Sequence, residues 1–312
     1  MKHYHSDATL RGAQFSNGKM SPLIILLSSA VAATIMASPT SIDLSCSAHD
    51  PDHSCCIHSV VLDSKNSERY SFPQEAAIHL ENCTIDNFSP ELATRLSDAT
   101  TELSILDGSC PKVYVKPGLK SFTSLRCGTV DVVIDPVENN ELELLDLAGL
   151  LNDIPTNVQY FKKLAVLDLC ENQIEHVRLD QLQGLHRLRK LNLGHNKIKS
   201  VSLSKELSLP ALTELFLHGN ELMELDLTHL EAPNLERLYV SENQLLRIDG
   251  FPQRFNKLIR TDLYSNKWNC SWLKETLPFL DGTKVETLSF LPAKVCDETG
   301  TVKVHAIECE GK

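Results

Sequence analysis

The chain has 312 residues, 42% of them hydrophobic, and a formal net charge of −11. Such an excess of carboxylates repels nucleic acid and anionic membrane, so a polyanionic partner is excluded. Ten cysteines fit export into an oxidising compartment better than the cytosol.

Residues 1–37 form the first element. Leu23 to Ala37 is almost wholly apolar, follows Lys2, Arg11 and Lys19, and runs into small residues and Pro39. This is the pattern of a secretory signal cleaved near Ala37 or Ser38, with an uncleaved anchor as the alternative. Its apolar run is short against the ~20 residues a membrane span needs. Removing it deletes three positive charges and one negative, leaving −13. No later segment is long or apolar enough to span a membrane, so a secreted, extracellular mature chain is expected. Residues 38–73 carry Cys46, Cys55 and Cys56 and form an N-terminal cysteine cap over whatever follows.

Residues 74–268 are repetitive. Asn172, Asn196, Asn220, Asn243 and Asn266 each close one phrase, from Leu164-Ala-Val-Leu-Asp-Leu-Cys-Glu-Asn172-Gln-Ile174 to Leu258-Ile-Arg-Thr-Asp-Leu-Tyr-Ser-Asn266-Lys-Trp268. That is the L-x-x-L-x-L-x-x-N-x-L phrase of a leucine-rich repeat. The L-x-L core predicts a short strand whose leucines point one way and whose intervening residues point the other. Each repeat's leucines stay half covered until the next repeat stacks on them, so the core runs along the array. The asparagine amide, with two donors and an acceptor, is suited to satisfy backbone groups buried in the turn.

Upstream the phase continues in degraded form. The asparagine position falls at Cys83, Gly108, Val130 and Leu150; cysteine is an accepted substitute there, whereas Val130 and Leu150 cannot cap a turn. About nine repeats result, an α/β-type horseshoe solenoid whose parallel concave sheet is ~43 Å long at ~4.8 Å per strand. On the convex side, Ile174-x-x-Val177-x-Leu179, Ile198-x-x-Val201-x-Leu203 and Leu222-x-x-Leu225-x-Leu227 predict an extended or single-turn return path. Cys83, Cys110 and Cys127 fall at inward positions and Cys170 at an outward one, as buried thiols or local staples. No pair has Cys-x-x-Cys spacing, so neither a metal site nor a cofactor is expected.

Residues 269–312 close the chain as a C-terminal cysteine cap with Cys270, Cys296 and Cys309. The segment Trp268-Asn-Cys270-Ser-Trp272-Leu273 resembles the C-terminal cap of secreted animal leucine-rich repeat proteins, with Trp272 where a second cysteine is usual. That resemblance implies a Cys270–Cys296 bridge and leaves Cys309 over. With three cysteines in each cap, at least one per cap looks elsewhere, either to an array cysteine or to an intermolecular disulfide. Together with the signal segment, the N-terminal cysteines and the return path, the cap makes the chain resemble the mosquito-type leucine-rich-repeat immune proteins, in their coil-less form. The resemblance implies a haemolymph protein of innate immunity. Its partners would be complement-like thioester proteins, another leucine-rich repeat protein or a microbial surface. A matrix component or a receptor-ligand or decoy module is the alternative.

Three columns of side chains are expected on the concave face. One holds Asp168, Asn192, Phe216, Tyr239 and Asp262, the next Cys170, Gly194, His218, Ser241 and Tyr264, and the preceding one Val166, Lys190, Glu214, Arg237 and Arg260. Phe216, Tyr239, Tyr264, Arg237, Arg260 and His218 form the candidate partner-binding patch, since aromatics and Arg most often carry interface energy. Asn82 and Asn269 head sequons for N-glycans, and Asn87 a third that Pro90 weakens. No nucleophile motif, His-Glu-x-x-His or phosphate loop accompanies His195 and His218, so no enzyme activity is expected.

Overall fold

The L-x-L phrases do form strands. The computed structural model describes residues 41–49, 54–139, 141–282 and 286–287. The signal segment 1–37, Cys296 and Cys309 lie outside the described residues. Ten parallel strands follow in chain order: β1 (Cys55–His58), β2 (Ala77–Glu81), β3 (Glu102–Leu106), β4 (Ser121–Leu125), β5 (Leu144–Ala148), β6 (Val166–Asp168), β7 (Lys190–Asn192), β8 (Glu214–Phe216), β9 (Arg237–Tyr239) and β10 (Arg260–Asp262). Each pairs only with its sequence neighbours in one long sheet. Ala48–His49 adds antiparallel to β1 at one end, and Glu286–Thr287 adds parallel to β10 at the other.

Register places like residues side by side. Ile78, Leu103, Phe122, Leu145, Leu167, Leu191, Leu215 and Leu238 share one inward row, and each is 0–1% exposed. Truncating one of these to Ala costs about 2–5 kcal/mol, because neighbours stacked on both sides cannot close the hole. The row ends at Thr261, whose buried hydroxyl donates to the Leu238 carbonyl at 2.9 Å. The return side is extended, as expected. His176–Arg178 pairs with Ser200–Ser202, Leu225–Asp226 pairs with Ile248–Asp249, and a single 3-10 turn spans Leu179–Leu182.

The asparagines form a buried ladder. Asn220 Nδ2 donates to the carbonyls of Leu193, Leu217 and His218 at 3.0, 3.0 and 3.2 Å, and its Oδ1 accepts from Ile198 N at 3.0 Å. Asn172, Asn196, Asn243 and Asn266 repeat the arrangement. The residue before each is in the left-handed region, with Glu171, His195, Gly219, Glu242 and Ser265 at φ 51° to 65°. Outside glycine that conformation costs roughly 1 kcal/mol or more, and the amide's bonds hold it in place.

The same geometry corrects the upstream phase. Asn82, Asp107 and Arg126 are left-handed too, so the capping positions are Cys83, Gly108 and Cys127. Cys127 Sγ donates to the Ile105 and Leu125 carbonyls at 3.2 and 3.1 Å, and Cys83 Sγ to those of Ile57 and Glu81 at 3.5 and 3.3 Å. These acceptors correspond to those of the asparagine amides. Val130 and Leu150, placed at this position by spacing, are instead 50% and 47% exposed. At Gly108 a Cβ would meet the Cys83 carbonyl oxygen at 2.1 Å, so no side chain fits there.

The caps use cysteine and tryptophan. Cys46 and Cys55 form a disulfide with Cα atoms 5.1 Å apart. Cys270 is also disulfide-bonded. Cys83, Cys110, Cys127 and Cys170 are thiols, so no cap cysteine bridges to them. After β10 the chain turns into helix α1 (Cys270–Gly282). Asn269 Oδ1 accepts from Ser271 N and Trp272 N at 2.9 and 3.2 Å and so caps the helix N-terminus. Fully buried Trp268 donates Nε1–H to the Leu263 carbonyl at 2.6 Å. Trp272, in the place of the usual cysteine, stacks on Trp268 with ring centroids 4.7 Å apart and lies 6.3 Å from Phe251. Aromatic burial thus closes an end of the core that resemblance assigned to a second bridge. Among the described residues no helix is long and apolar enough to cross a membrane.

Candidate interaction face

Strand alternation turns the residues between the inward leucines toward the open face of the sheet. The pairing reproduces two of the three expected columns. Asp168, Asn192, Phe216, Tyr239 and Asp262 lie opposite one another in β6 to β10, as do Val166, Lys190, Glu214, Arg237 and Arg260.

Of the expected patch, Phe216, Tyr239 and His218 come together directly. Phe216 and Tyr239 stack with centroids 4.6 Å apart and planes 11° from parallel, and both remain partly exposed. His218 meets Phe216 edge-on at 6.0 Å. Lys190 was not expected in the patch, yet its Nζ sits 5.4 Å from the Phe216 centroid. A cation over an aromatic face is worth roughly 0.5–2 kcal/mol, depending on desolvation. Arg237 forms an ion pair with Glu214, two residues before the stacked rings on the same two strands. Arg260 and Tyr264 stand on β10 and just beyond it, one repeat further along.

His195, passed over as unaccompanied by catalytic groups, packs edge-on against His218 at 4.7 Å. Both rings lie over glycines: a Cβ at Gly194 would reach His218 Cε1 at 2.6 Å, and one at Gly219 would reach His195 Nδ1 at 2.6 Å. The glycine one repeat away from each histidine was the available sequence signal. Burial, then the neighbouring His195, holds His218 below the ordinary imidazole range.

Carboxylates flank the aromatics. Asp168 accepts from Lys190 at 2.9 Å and from Asn192 at 2.9 and 3.0 Å. Burial pushes Asp168 up, but these bonds outweigh it and hold the group below the usual range. Asp146 lacks that set: burial, then the charge of Asp168, pushes it up to about 6. At the other end Asp262 accepts from Val240 N, Ser241 N and Ser241 Oγ at 2.6, 3.1 and 2.7 Å, and burial raises it nonetheless. The face therefore runs from carboxylates through a cation-backed aromatic stack to a second buried carboxylate.

Asn82 and Asn269 are both exposed. Asn82 sits in the left-handed turn, and the middle cysteine of its sequon, Cys83, is a thiol. Ser89, which completes the third sequon, spends its hydroxyl accepting from Leu92 N at 3.3 Å.

Repeats, ladder and sheet define the class: a leucine-rich repeat solenoid. The family described as leucine rich repeat matches residues 162–222. No curated protein matches by sequence. Among solved structures, the chain is similar to the leucine-rich repeat domain of APL1B at 19% identity and TM-score 0.51, covering 75% of this chain and 77% of that one. It is similar to the LRIM1/APL1C complex at 16% and 0.53, covering 73% of this chain and 54% of that one. It is also similar to the octameric complex of latrophilin 3, Unc5D and the FLRT2 leucine-rich repeats, at 17% and 0.54 with 86% and 92% covered. At these identities the likeness establishes the fold.

Proposed function

We propose that this chain is a secreted leucine-rich repeat binding protein of innate immunity that recognises a protein or a microbial surface through the open face of its long sheet. In this reading residues 1–37 are the signal, 38–73 and 269–312 are the caps, and Asn82 and Asn269 carry glycans. The observation that carries the reading is the stacked Phe216–Tyr239 pair, partly exposed, backed by Lys190 and edged by His218. Core packing does not explain it, because the leucines of β8 and β9 point the other way. The solved complexes that share this fold, LRIM1/APL1C and FLRT2 with latrophilin 3 and Unc5D, support a protein partner. The immune setting rests on the resemblance of the caps and return path to the mosquito-type proteins.

The test is capture from insect haemolymph by the tagged, secreted chain, without reductant, followed by elution first with denaturant and then with thiol. A discrete complement-like or repeat-protein partner is expected with the native chain. With Phe216→Ala/Tyr239→Ala its recovery should fall at least about tenfold, as for a central aromatic anchor. A partner retained equally by the double variant, or bare monomer in both elutions, would sink the assignment to this face. Saturable binding to a receptor ectodomain or deposition on matrix, with no haemolymph partner, would instead support the non-immune module.

A further inference from the structure

The first two strands of the solenoid carry groups that neither the leucine pattern nor the aromatic face uses. In β1 the outward residues are Cys56 and His58; in β2 they are His79 and Glu81. Parallel pairing sets Cys56 beside His79 and His58 beside Glu81. Adjacent strands lie ~4.8 Å apart, and residues two apart share a face, so the four form a tight block. Cys56 Sγ, a His79 ring nitrogen and a Glu81 carboxylate oxygen all lie within 4.8 Å of one another. His58 Nδ1 is 3.1 Å from Glu81 Oε2.

A thiol, an imidazole and a carboxylate are the donor types zinc accepts, at about 2.0–2.3 Å. Magnesium and calcium prefer all-oxygen shells, so sulfur and nitrogen donors select against them. Donors bound to one zinc at about 2.0–2.3 Å lie roughly 3.3–3.8 Å apart in a tetrahedron, and the three donor atoms here lie within 4.8 Å of one another. Three protein ligands leave one tetrahedral position open, and the half-exposed His79 and Glu81 keep that side accessible. His58 stands where an outer partner would orient the carboxylate.

We propose that Cys56, His79 and Glu81 bind a zinc ion, that His58 positions Glu81, and that a water or a partner's side chain completes the shell. On binding, the Cys56 thiol proton passes to solvent and a thiolate–metal bond forms. The site ties the cap strand β1 to the first repeat β2, six strands before β8, where the aromatic stack begins at Phe216. The ligands come from adjacent repeats 23 residues apart, which is why a search for Cys-x-x-Cys spacing passes over them.

The full secreted chain, with its disulfides intact and without a polyhistidine tag, is stripped with chelator and titrated with zinc against a chromophoric indicator. Cobalt then replaces zinc for absorption spectroscopy. One equivalent of metal is expected, with a thiolate-to-cobalt charge-transfer band and the intense d–d bands of four-coordination. Cys56→Ser should abolish the charge-transfer band. Glu81→Gln and His58→Ala, both at solvent-accessible positions, should each weaken binding roughly tenfold to hundredfold. Cys170→Ser should leave affinity and spectrum unchanged. Absence of stoichiometric metal in the native chain would overturn the proposal. So would affinity unchanged by both Cys56→Ser and Glu81→Gln, or peptide mapping that finds Cys56 in a disulfide.

Discussion

The imidazole of His218 occupies the space where a side chain on Gly194 would stand: a Cβ there would lie 2.6 Å from His218 Cε1. One repeat thus leaves a gap that the next repeat's histidine fills, and that histidine touches Phe216 edge-on. Gly194→Ala should force the ring out, at a cost of about 1–3 kcal/mol for overpacking. The measurement is chemical denaturation together with the His218 imidazole NMR signals. Unchanged stability and unchanged signals would refute the interlock.

The asparagine ladder makes a graded prediction. Asn220→Ala strands the Ile198 amide in the core, at about 1–3 kcal/mol for an unsatisfied group, while the Leu193, Leu217 and His218 carbonyls keep their bonds from Asn196, Asn243 and the His195 amide. A loss of about 1–3 kcal/mol is expected in urea unfolding. Asn220→Cys should lose measurably less, because Cys83 and Cys127 already donate from the corresponding position. Equal losses in the two variants would mean that the thiol bonds contribute nothing.

Asp146 gives the stability of the chain a pH dependence of definite sign. Its ordinary value is 3.8 and the fold raises it to about 6. Between those values the folded chain holds a proton that the unfolded chain releases. Stability from this group therefore falls as pH climbs from about 3.8 to about 6, and the cost persists above. Asp146→Asn should stabilise at pH 7 by on the order of 1 kcal/mol, a figure discounted for solvent screening, with little gain near pH 4. Melting curves of both proteins at the two pH values decide it; a larger gain at pH 4 would reverse the assignment.

The array thiols should be inert in the folded chain. Burial pushes up Cys83 and Cys127, and pushes Cys110 up to about 12; burial and then the charge of Asp168 do the same to Cys170. Since the thiolate is the nucleophile, iodoacetamide near neutral pH should label none of the four quickly until denaturant is added. Rapid labelling of Cys127 in the native state, read by peptide mass, would contradict its place in the turn.

Much of this protein was legible in its residues because the repeat rests on local physics. Alternation within a strand put the leucines inward and fixed the columns of Phe216 and Tyr239, and the asparagine's donors and acceptor matched a turn's needs. The degraded repeats were less legible. Val130 was placed by counting, yet the loop between Leu103 and Phe122 is shorter than its neighbours, and Cys127 takes the turn instead; Leu150 keeps the offset of Asn172 but its apolar side chain is exposed. Counting cannot detect a shortened loop; only hydrogen-bond register across the sheet does. The same distinction separates the outcomes at the sites. The sequence by itself determined which residues face outward and that aromatics recur among them. Only the tertiary structure decided that Lys190 backs Phe216, that His195 and His218 interlock over glycines, and that Cys56, His79 and Glu81 converge, because those contacts join repeats that the chain keeps more than twenty residues apart.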